Sequence, residues 1–323
     1  MVKNLKYRLL IVTYIEEKNM KKIDLEGFLE ATKESNIYGV IVKQNGAIVG
    51  EYHYGKEQIR PQYSATKSFT STAVGIAIDE GIISLEDQVI SFFDEEVPEN
   101  PSERLKTLKI KHLLKMAMGH GAGYLMADSS WGTTPRDEVE EKNWVKYCFE
   151  RPMPYNPGDK FVYDNSCAYI LGVIVQKVTG ETLVDYLMPR LFEPLGIERP
   201  TWEVCPMGYN FGAGGIFLKI SDLCKLGELY LNKGNWNGRQ IVSEKWVKEA
   251  SIKHLDTDSK GDWCRGYGYQ FWRGKHDSYR ADGKYGQYSI VIEDKKAVIA
   301  INAHAEKVRR IMEAVWSEIW PQL

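Results

Sequence analysis

From Ser68 to Ile78 the apolar and small residues cover most of the circumference of a helix, a pattern that predicts a buried helix rather than a surface one. Asp24 can cap an earlier helix running to about Lys33. Between them, Ile37–Lys43 and Ala47–Tyr54 flank Gln44-Asn45-Gly46, a strong hairpin signal. Helix-like spacing recurs near Ile110–Met118, Glu140–Glu150, Cys167–Val178, Leu183–Leu191, Asp222–Asn232 and Glu244–Ala250. Ser221 and Ser243 stand where the last two would be capped. β-rich stretches return at Tyr267–Arg273, Gln287–Glu293 and Ala297–Asn302, with Asp294-Lys295-Lys296 as a turn. An amphipathic helix from Glu306 to Trp320 closes the chain.

Strands at both ends with helices between them predict an α/β (α+β) fold. One antiparallel sheet is built from the two termini and flanked by helices, with a helical lobe inserted. On this reading residues 20–323 form one domain, with the sheet lobe over about 24–62 and 262–323 and the helical lobe over about 63–261. The deepest cleft belongs where sheet meets helical lobe. The polar loop from Ala127 to Glu138 is the longest irregular stretch, and Trp131 in it is placed to cover a substrate.

The first nineteen residues read as an extension. Lys3, Lys6 and Arg8 precede or overlap a short apolar stretch, Tyr7–Ile15, but Glu16-Glu17-Lys18-Asn19 follows with no small-residue cleavage site. Met20 is an alternative start, and the expected location is cytoplasmic. A net charge of −2 with interspersed signs gives no sign of a nucleic-acid or membrane partner. The five cysteines are scattered, and neither they nor the six histidines show metal-ligand or redox spacing, so no cofactor is expected. His120, after Met116-Ala117-Met118-Gly119, is a candidate to line the cleft. Gly212-Ala213-Gly214-Gly215 lacks the strand-to-helix setting of a phosphate loop and reads as a turn that lets backbone pack near a site.

Candidate chemistry begins at Ser64-Ala65-Thr66-Lys67, where an extended stretch meets the apolar helix. A cation in a helix's first turn opposes the dipole by roughly 0.3–1 kcal/mol. Burial also lowers a lysine's pKa, and a neutral amine one turn from a serine can take its proton and activate it. Two further motifs join it. Tyr163-Asp164-Asn165 follows the turn at Asn156-Pro157-Gly158 and precedes the helix at Cys167; in extended geometry Tyr163 and Asn165 face the same way. Ala281-Asp282-Gly283-Lys284-Tyr285-Gly286-Gln287 leads into the strand from Tyr288.

Together these motifs resemble the serine β-lactamase and penicillin-binding-protein superfamily, in the branch of class C β-lactamases, D-Ala-D-Ala carboxypeptidases, esterases and amide hydrolases. The resemblance extends to Tyr63, Ser68-Phe69, Leu113–Gly119, Phe192–Ile197, Gly214-Gly215 and Gly266–Trp272. It implies an acyl-enzyme on Ser64. Lys67, and Tyr163 hydrogen-bonded to it, share the general-base role. An unperturbed phenol, with a pKa of about 10, is mostly protonated, a neighbouring ammonium favours the phenolate, and which group holds the proton is a property of the pair. Tyr163 serves as base for the deacylating water. Asn165 bonds Lys67 and the substrate amide, and the backbone N–H groups of Ser64 and Lys284 form the oxyanion hole. Asp282 and Gly283 stand in the third motif, where carboxylate-binding members supply a cation. The acid at 282 therefore favours a small neutral or cationic ester or amide, with Arg280 and Lys284 as the cations that could compensate. A β-lactamase or D-Ala-D-Ala carboxypeptidase is the alternative, and a slowly acylated penicillin-binding or sensing module a further one. A Ser-His-Asp hydrolase is disfavoured, since no Gly-x-Ser-x-Gly elbow is present.

Overall fold

The structure is a computed structural model, and residues 21–323 are described; the readings of an extension over residues 1–19 and of Met20 as a start lie outside that span. The α-helices are α1 Glu26–Ala31, α2 Thr66–Asp79, α3 Glu103–Lys106, α4 Ile110–Leu114, α5 Trp144–Phe149, α6 Asn165–Thr179, α7 Leu183–Leu187, α8 Ile220–Leu231, α9 Glu244–Ser251 and α10 Val308–Ala314. The strands are β1 Ile37–Gln44, β2 Ala47–His53, β3 Arg60–Pro61, β4 Thr201–Trp202, β5 Ile216–Leu218, β6 Asn235–Trp236, β7 Arg239–Gln240, β8 Trp272–Arg273, β9 Tyr279–Gly283, β10 Gln287–Ile292 and β11 Ala297–Ala303.

Six strands form the main sheet in the order β2-β1-β11-β10-β9-β8, so the first hairpin is zipped to the last strand of the chain. The β1–β11 seam is antiparallel, with Val40 opposite Ile301 and Val42 opposite Ile299. A strand covered on both faces reads as a continuous apolar run, and β11 is buried at every position. Val298 and Ala300 meet Ile220 and Cys224 of α8, while Ile299 and Ile301 share a second cluster with Phe28 and the terminal Ile311 and Val315. Gly227 lets α8 lie close, since a Cβ there would sit 2.4 Å from Ser289 Oγ. The antiparallel sheet from both termini and the helices between its halves agree with the sequence-based fold.

Several elements depart from their predicted bounds. The β-rich stretch Tyr267–Arg273 yields only the two residues of β8, because Gly266 (φ 112°) and Gln270 (φ 64°) turn the backbone. Gln270 instead ties this loop to the helical lobe, its Nε2 donating to the carbonyls of Leu113 and Leu114. Ser221 is no cap: α8 begins at Ile220, and the Ser221 N–H donates to Glu57 Oε1 at 2.8 Å. Ser243 does cap α9, accepting from the Trp246 N–H. The terminal helix loses α-geometry after Ala314, where a π-helical turn carries Val315–Ile319.

Candidate active site

Ser64 sits in a 3₁₀ turn, Tyr63–Ala65, immediately before α2. The residue ahead of it, Tyr63, holds φ at 46°. A bulky residue keeps such a conformation only where its surroundings enforce it. Here Thr66 Oγ1 donates to the Tyr63 carbonyl at 2.5 Å, and the Tyr63 ring stands edge-on to Tyr285 at 4.9 Å. Beyond the turn, α2 is buried from Thr66 to Ala77, as its pattern predicts, and Lys67 is carried into the interior with only 1% of its surface exposed.

Lys67 Nζ lies 2.8 Å from Ser64 Oγ and donates to the carbonyl oxygen of Ala213, also at 2.8 Å. Neither partner is a carboxylate. Desolvation pushes the amine down to about 7; Asp164, Cys167 and Asp282 pull the other way. The glycine-rich turn supplies the second contact. A Cβ at Gly212 would meet the Ala168 carbonyl of α6 at 2.5 Å, so only glycine lets this turn press into the bundle and bring the Ala213 carbonyl to Lys67.

Tyr163 faces the same amine, with Lys67 Nζ 5.1 Å from its ring centre. Burial pushes the phenol well above its ordinary value, against the Ser64 hydroxyl within its reach. Desolvation thus acts on both members of the pair and favours a neutral amine beside a neutral phenol. The sequence left open which of the two holds the proton; burial favours the neutral form of each. Asn165 opens α6, donates through Nδ2 to the Leu125 carbonyl at 2.9 Å, and leaves its buried Oδ1 without a partner. The bond expected from Asn165 to Lys67 is absent from Lys67's contacts, which go to Ser64 and Ala213. Asp164 rather than Asn165 caps the helix, accepting from the Ser166 N–H.

The third motif occupies β9 and the turn after it. Asp282 Oδ2 accepts from Arg280 Nε at 2.9 Å and from Trp263 Nε1 at 2.7 Å. Arg280 is fully buried and also donates to Asp262 Oδ2 at 2.7 Å. Burial raises the Asp282 carboxyl while Arg280 lowers it, and burial prevails. Lys284 Nζ reaches across to Asp128 Oδ2 at 2.6 Å. Gly283 is required by close approach, since a Cβ there would lie 2.6 Å from the Gln62 carbonyl, two residues before Ser64. Of the two cations offered as compensation, Arg280 is therefore bound to Asp282 itself and Lys284 to Asp128.

Ser64, Tyr163, Asn165, Asp282 and Lys284 line one cleft of about 680 Å³. Trp131, Trp263 and Trp272 wall it. Trp272 stacks on Tyr163 at 5.7 Å, and Trp131 approaches the same ring at 5.7 Å while 45% exposed. Trp131 thus stands where the loop reading put it. His120 does not; it is buried behind the Tyr163 turn against Asp164 and the Cys148 carbonyl. Sequence reasoning missed Trp263, whose indole N–H holds Asp282, and Asp164 as an anchor. A lone tryptophan in a polar loop and an aspartate before a helix carry no distinguishing signal.

The family model described as Beta-lactamase matches residues 38–316. The chain belongs to the beta-lactamase family. Lovastatin esterase of Penicillium rubens is 30% identical over 152 residues, covering 42% of this chain and 37% of that protein. The 6-aminohexanoate-dimer hydrolase of Paenarthrobacter ureafaciens is 26% identical over 241 residues, covering 70% of this chain and 59% of that protein. The chain thus spans less than two thirds of either curated relative. In structure, a putative 6-aminohexanoate-dimer hydrolase from Bacillus anthracis superposes with TM-score 0.75 and 19% identity over 90% of this chain and 80% of that one. An octameric penicillin-binding protein homologue from Pyrococcus abyssi gives TM-score 0.72 and 21% identity, over 92% and 77%. At these identities the structural matches speak to the beta-lactamase fold. All three motifs of the cleft lie inside the family match.

Proposed function

We propose that the protein is a serine hydrolase that forms an acyl-enzyme on Ser64 and acts as an esterase or amidase on small acyl substrates. The observation that carries this reading is the buried Lys67 amine, pushed down to about 7 and 2.8 Å from a hydroxyl that opens on the cleft. In acylation Ser64 Oγ bonds to the substrate carbonyl carbon as its proton passes to Lys67 Nζ. The tetrahedral oxyanion is received by the backbone N–H groups of Ser64 and Lys284, and donors of this kind are each worth about 10²–10³ in rate. Lys67 returns the proton, through the Tyr163 phenol, to the departing oxygen or nitrogen. Water then repeats the sequence at the acyl carbon, breaking the Oγ–C bond and releasing the acid.

Asp282 carries a net bias away from substrate carboxylates, and its Arg280 partner is already committed to two acids. An uncharged or cationic group at that end of the cleft fits better; the names of the esterase and the dimer hydrolase are consistent with ester or amide hydrolysis. The test is kinetic and chemical. A p-nitrophenyl ester, an amide, a β-lactam and a D-Ala-D-Ala peptide are compared at steady state, and a fluorophosphonate adduct is mapped by mass spectrometry. Labelling of Ser64 with ester or amide turnover is expected, as is loss of at least about 10³-fold in kcat in Ser64→Ala. Fast turnover of the β-lactam alone would overturn the preference. A persistent Ser64 adduct without turnover of any substrate would point to a sensing module.

A further inference from the structure

A second cavity, of about 670 Å³, shares no lining residue with the cleft of Ser64. It is bordered by the C-terminal half of α9, the chain that follows it, and the turn between β8 and β9. Five Lys and Arg side chains line it against three carboxylates. Each carboxylate is already engaged. Glu244 pairs with Lys233 at 2.7 Å, Asp277 with Arg273, and Glu293, just past β10, accepts from the Tyr279 hydroxyl at 3.3 Å. Arg273 Nη1 also donates to the Ser251 carbonyl at 2.7 Å, which answers the negative end of α9. Lys253 pairs with Asp256 at 2.9 Å, an acid that is not part of the cavity lining. Among the described residues, Lys248 and Arg265 have no ion pair.

Two unanswered cations match one ligand group in particular. A phosphate monoester carries about −1.5 to −2 charge at neutral pH and offers three acceptor oxygens. A guanidinium meets such oxygens in a planar fork, and an ammonium meets them as a compact charge. The third cation is placed by backbone. A Cβ at Gly266 (φ 112°) would fall 2.4 Å from Lys253 Cδ, so only glycine lets the Lys253 stem lie against the chain next to Arg265.

The cavity also backs on the wall of the cleft. In the turn Gly261–Arg265, Trp263 lines the cleft and Arg265 the cavity. In β8, Trp272 lines the cleft and Arg273 the cavity, as opposite faces of a strand require. Asp262 of the same turn accepts from the Lys275 N–H at 3.0 Å and from Arg280 at 2.7 Å, while Trp263 donates to Asp282. A ligand that draws on Arg265 therefore pulls on a turn whose other side chains are fixed at the cleft.

We propose that this cavity is a second binding site, for a small phosphate monoester held by Lys248, Arg265 and Lys253, and that its occupancy is felt at the cleft through the shared turn and strand. The binding stands apart from the hydrolase reading; the effect on turnover rests on it.

The experiment titrates the full chain at low salt with phenyl phosphate in a calorimeter, with benzoate as the singly charged comparison. It uses wild type, Lys248→Ala, Arg265→Ala, and wild type whose Ser64 carries a fluorophosphonate. Both substituted side chains are exposed, so both variants are expected to fold. One phenyl phosphate per chain is expected, weakened about three- to tenfold by either substitution and weakened by added salt. Labelling of Ser64 should leave it unchanged, and benzoate should bind more weakly. No saturable binding, binding indifferent to both substitutions, or binding lost on labelling overturns the site; benzoate binding as well as phenyl phosphate overturns its assignment to phosphate. At saturating phenyl phosphate, kcat/KM for a p-nitrophenyl ester should change by about twofold or more in wild type and not in Arg265→Ala. An equal change in both, or none in either, overturns the link to the cleft. Protein that is neither labelled nor active on the ester removes the hydrolase reading, while the comparison of wild type with the two variants still decides the site.

Discussion

At the scale of single residues, the buried amine sets the terms. Lys67 has an ordinary value of 10.5 and is pushed down to about 7 in the fold. Below about pH 7 the native state must hold a buried ammonium, so the residue costs stability there. Between about 7 and 10.5 the unfolded chain binds the proton and the native chain does not, so stability rises with pH across that window. Lys67→Met is expected to abolish turnover and to raise unfolding free energy at pH 6 by about 2 kcal/mol or more. Urea melts at pH 6 and pH 10 check the sign, since the gain should shrink at the higher pH. An equal gain at both would mean that the amine is not neutralised by burial. The same conflict made Lys67 legible in the sequence: a cation in the first turn of an apolar helix has no structural reason to be there. Asp164 was not legible as an anchor, because a helix-capping aspartate is commonplace and its bonds to Tyr124 and His120 span about forty residues of chain.

At the scale of elements, the catalytic geometry depends on how closely β9 approaches the turn that carries Ser64. The backbone at Gly283 passes so near the Gln62 carbonyl and Gln287 Oε1 that no side chain fits between them. Gly283→Ala is expected to push strand and turn apart and misplace the Lys284 N–H relative to Ser64. Activity should fall about 10²-fold while the circular dichroism spectrum is retained. Unchanged kcat would show that the contact does not set the oxyanion geometry. Strong periodicity made most elements readable, and the seam between the first and last strands followed from β-rich segments at both ends of the chain. The stretch before β8 misled, because its aromatic and β-prone residues are held in irregular backbone by bonds from Gln270 to Leu113 and Leu114. Local composition has no means of announcing a partner about 156 residues away.

At the scale of the whole molecule, the cleft is bridged as well as lined. Lys284, which lines the cleft, projects from the turn between β9 and β10, and Asp128 from the loop of the helical lobe; their 2.6 Å pair ties the two together. Asp128 also accepts from the Ser130 N–H and so caps the short turn that carries Trp131. Lys284 holds the Asp128 carboxyl down to about 2, so Asp128 stays ionised across the pH range of an assay. A pair with both side chains 42% exposed contributes little to stability, about 0–1 kcal/mol. Its consequence lies in what it withholds: the one cation of the third motif that faces the cleft is already engaged by an acid of the protein. Asp128→Asn releases Lys284 without changing the shape of the loop residue. Relative to a neutral p-nitrophenyl ester, kcat/KM for a carboxylate-bearing β-lactam should then rise roughly three- to tenfold. The melting curve should stay close to wild type, and added salt should erode the gain, since the new attraction is between exposed charges. An unchanged ratio would mean that Lys284 does not meet the substrate, leaving Asp282 alone to set which acyl groups the cleft accepts.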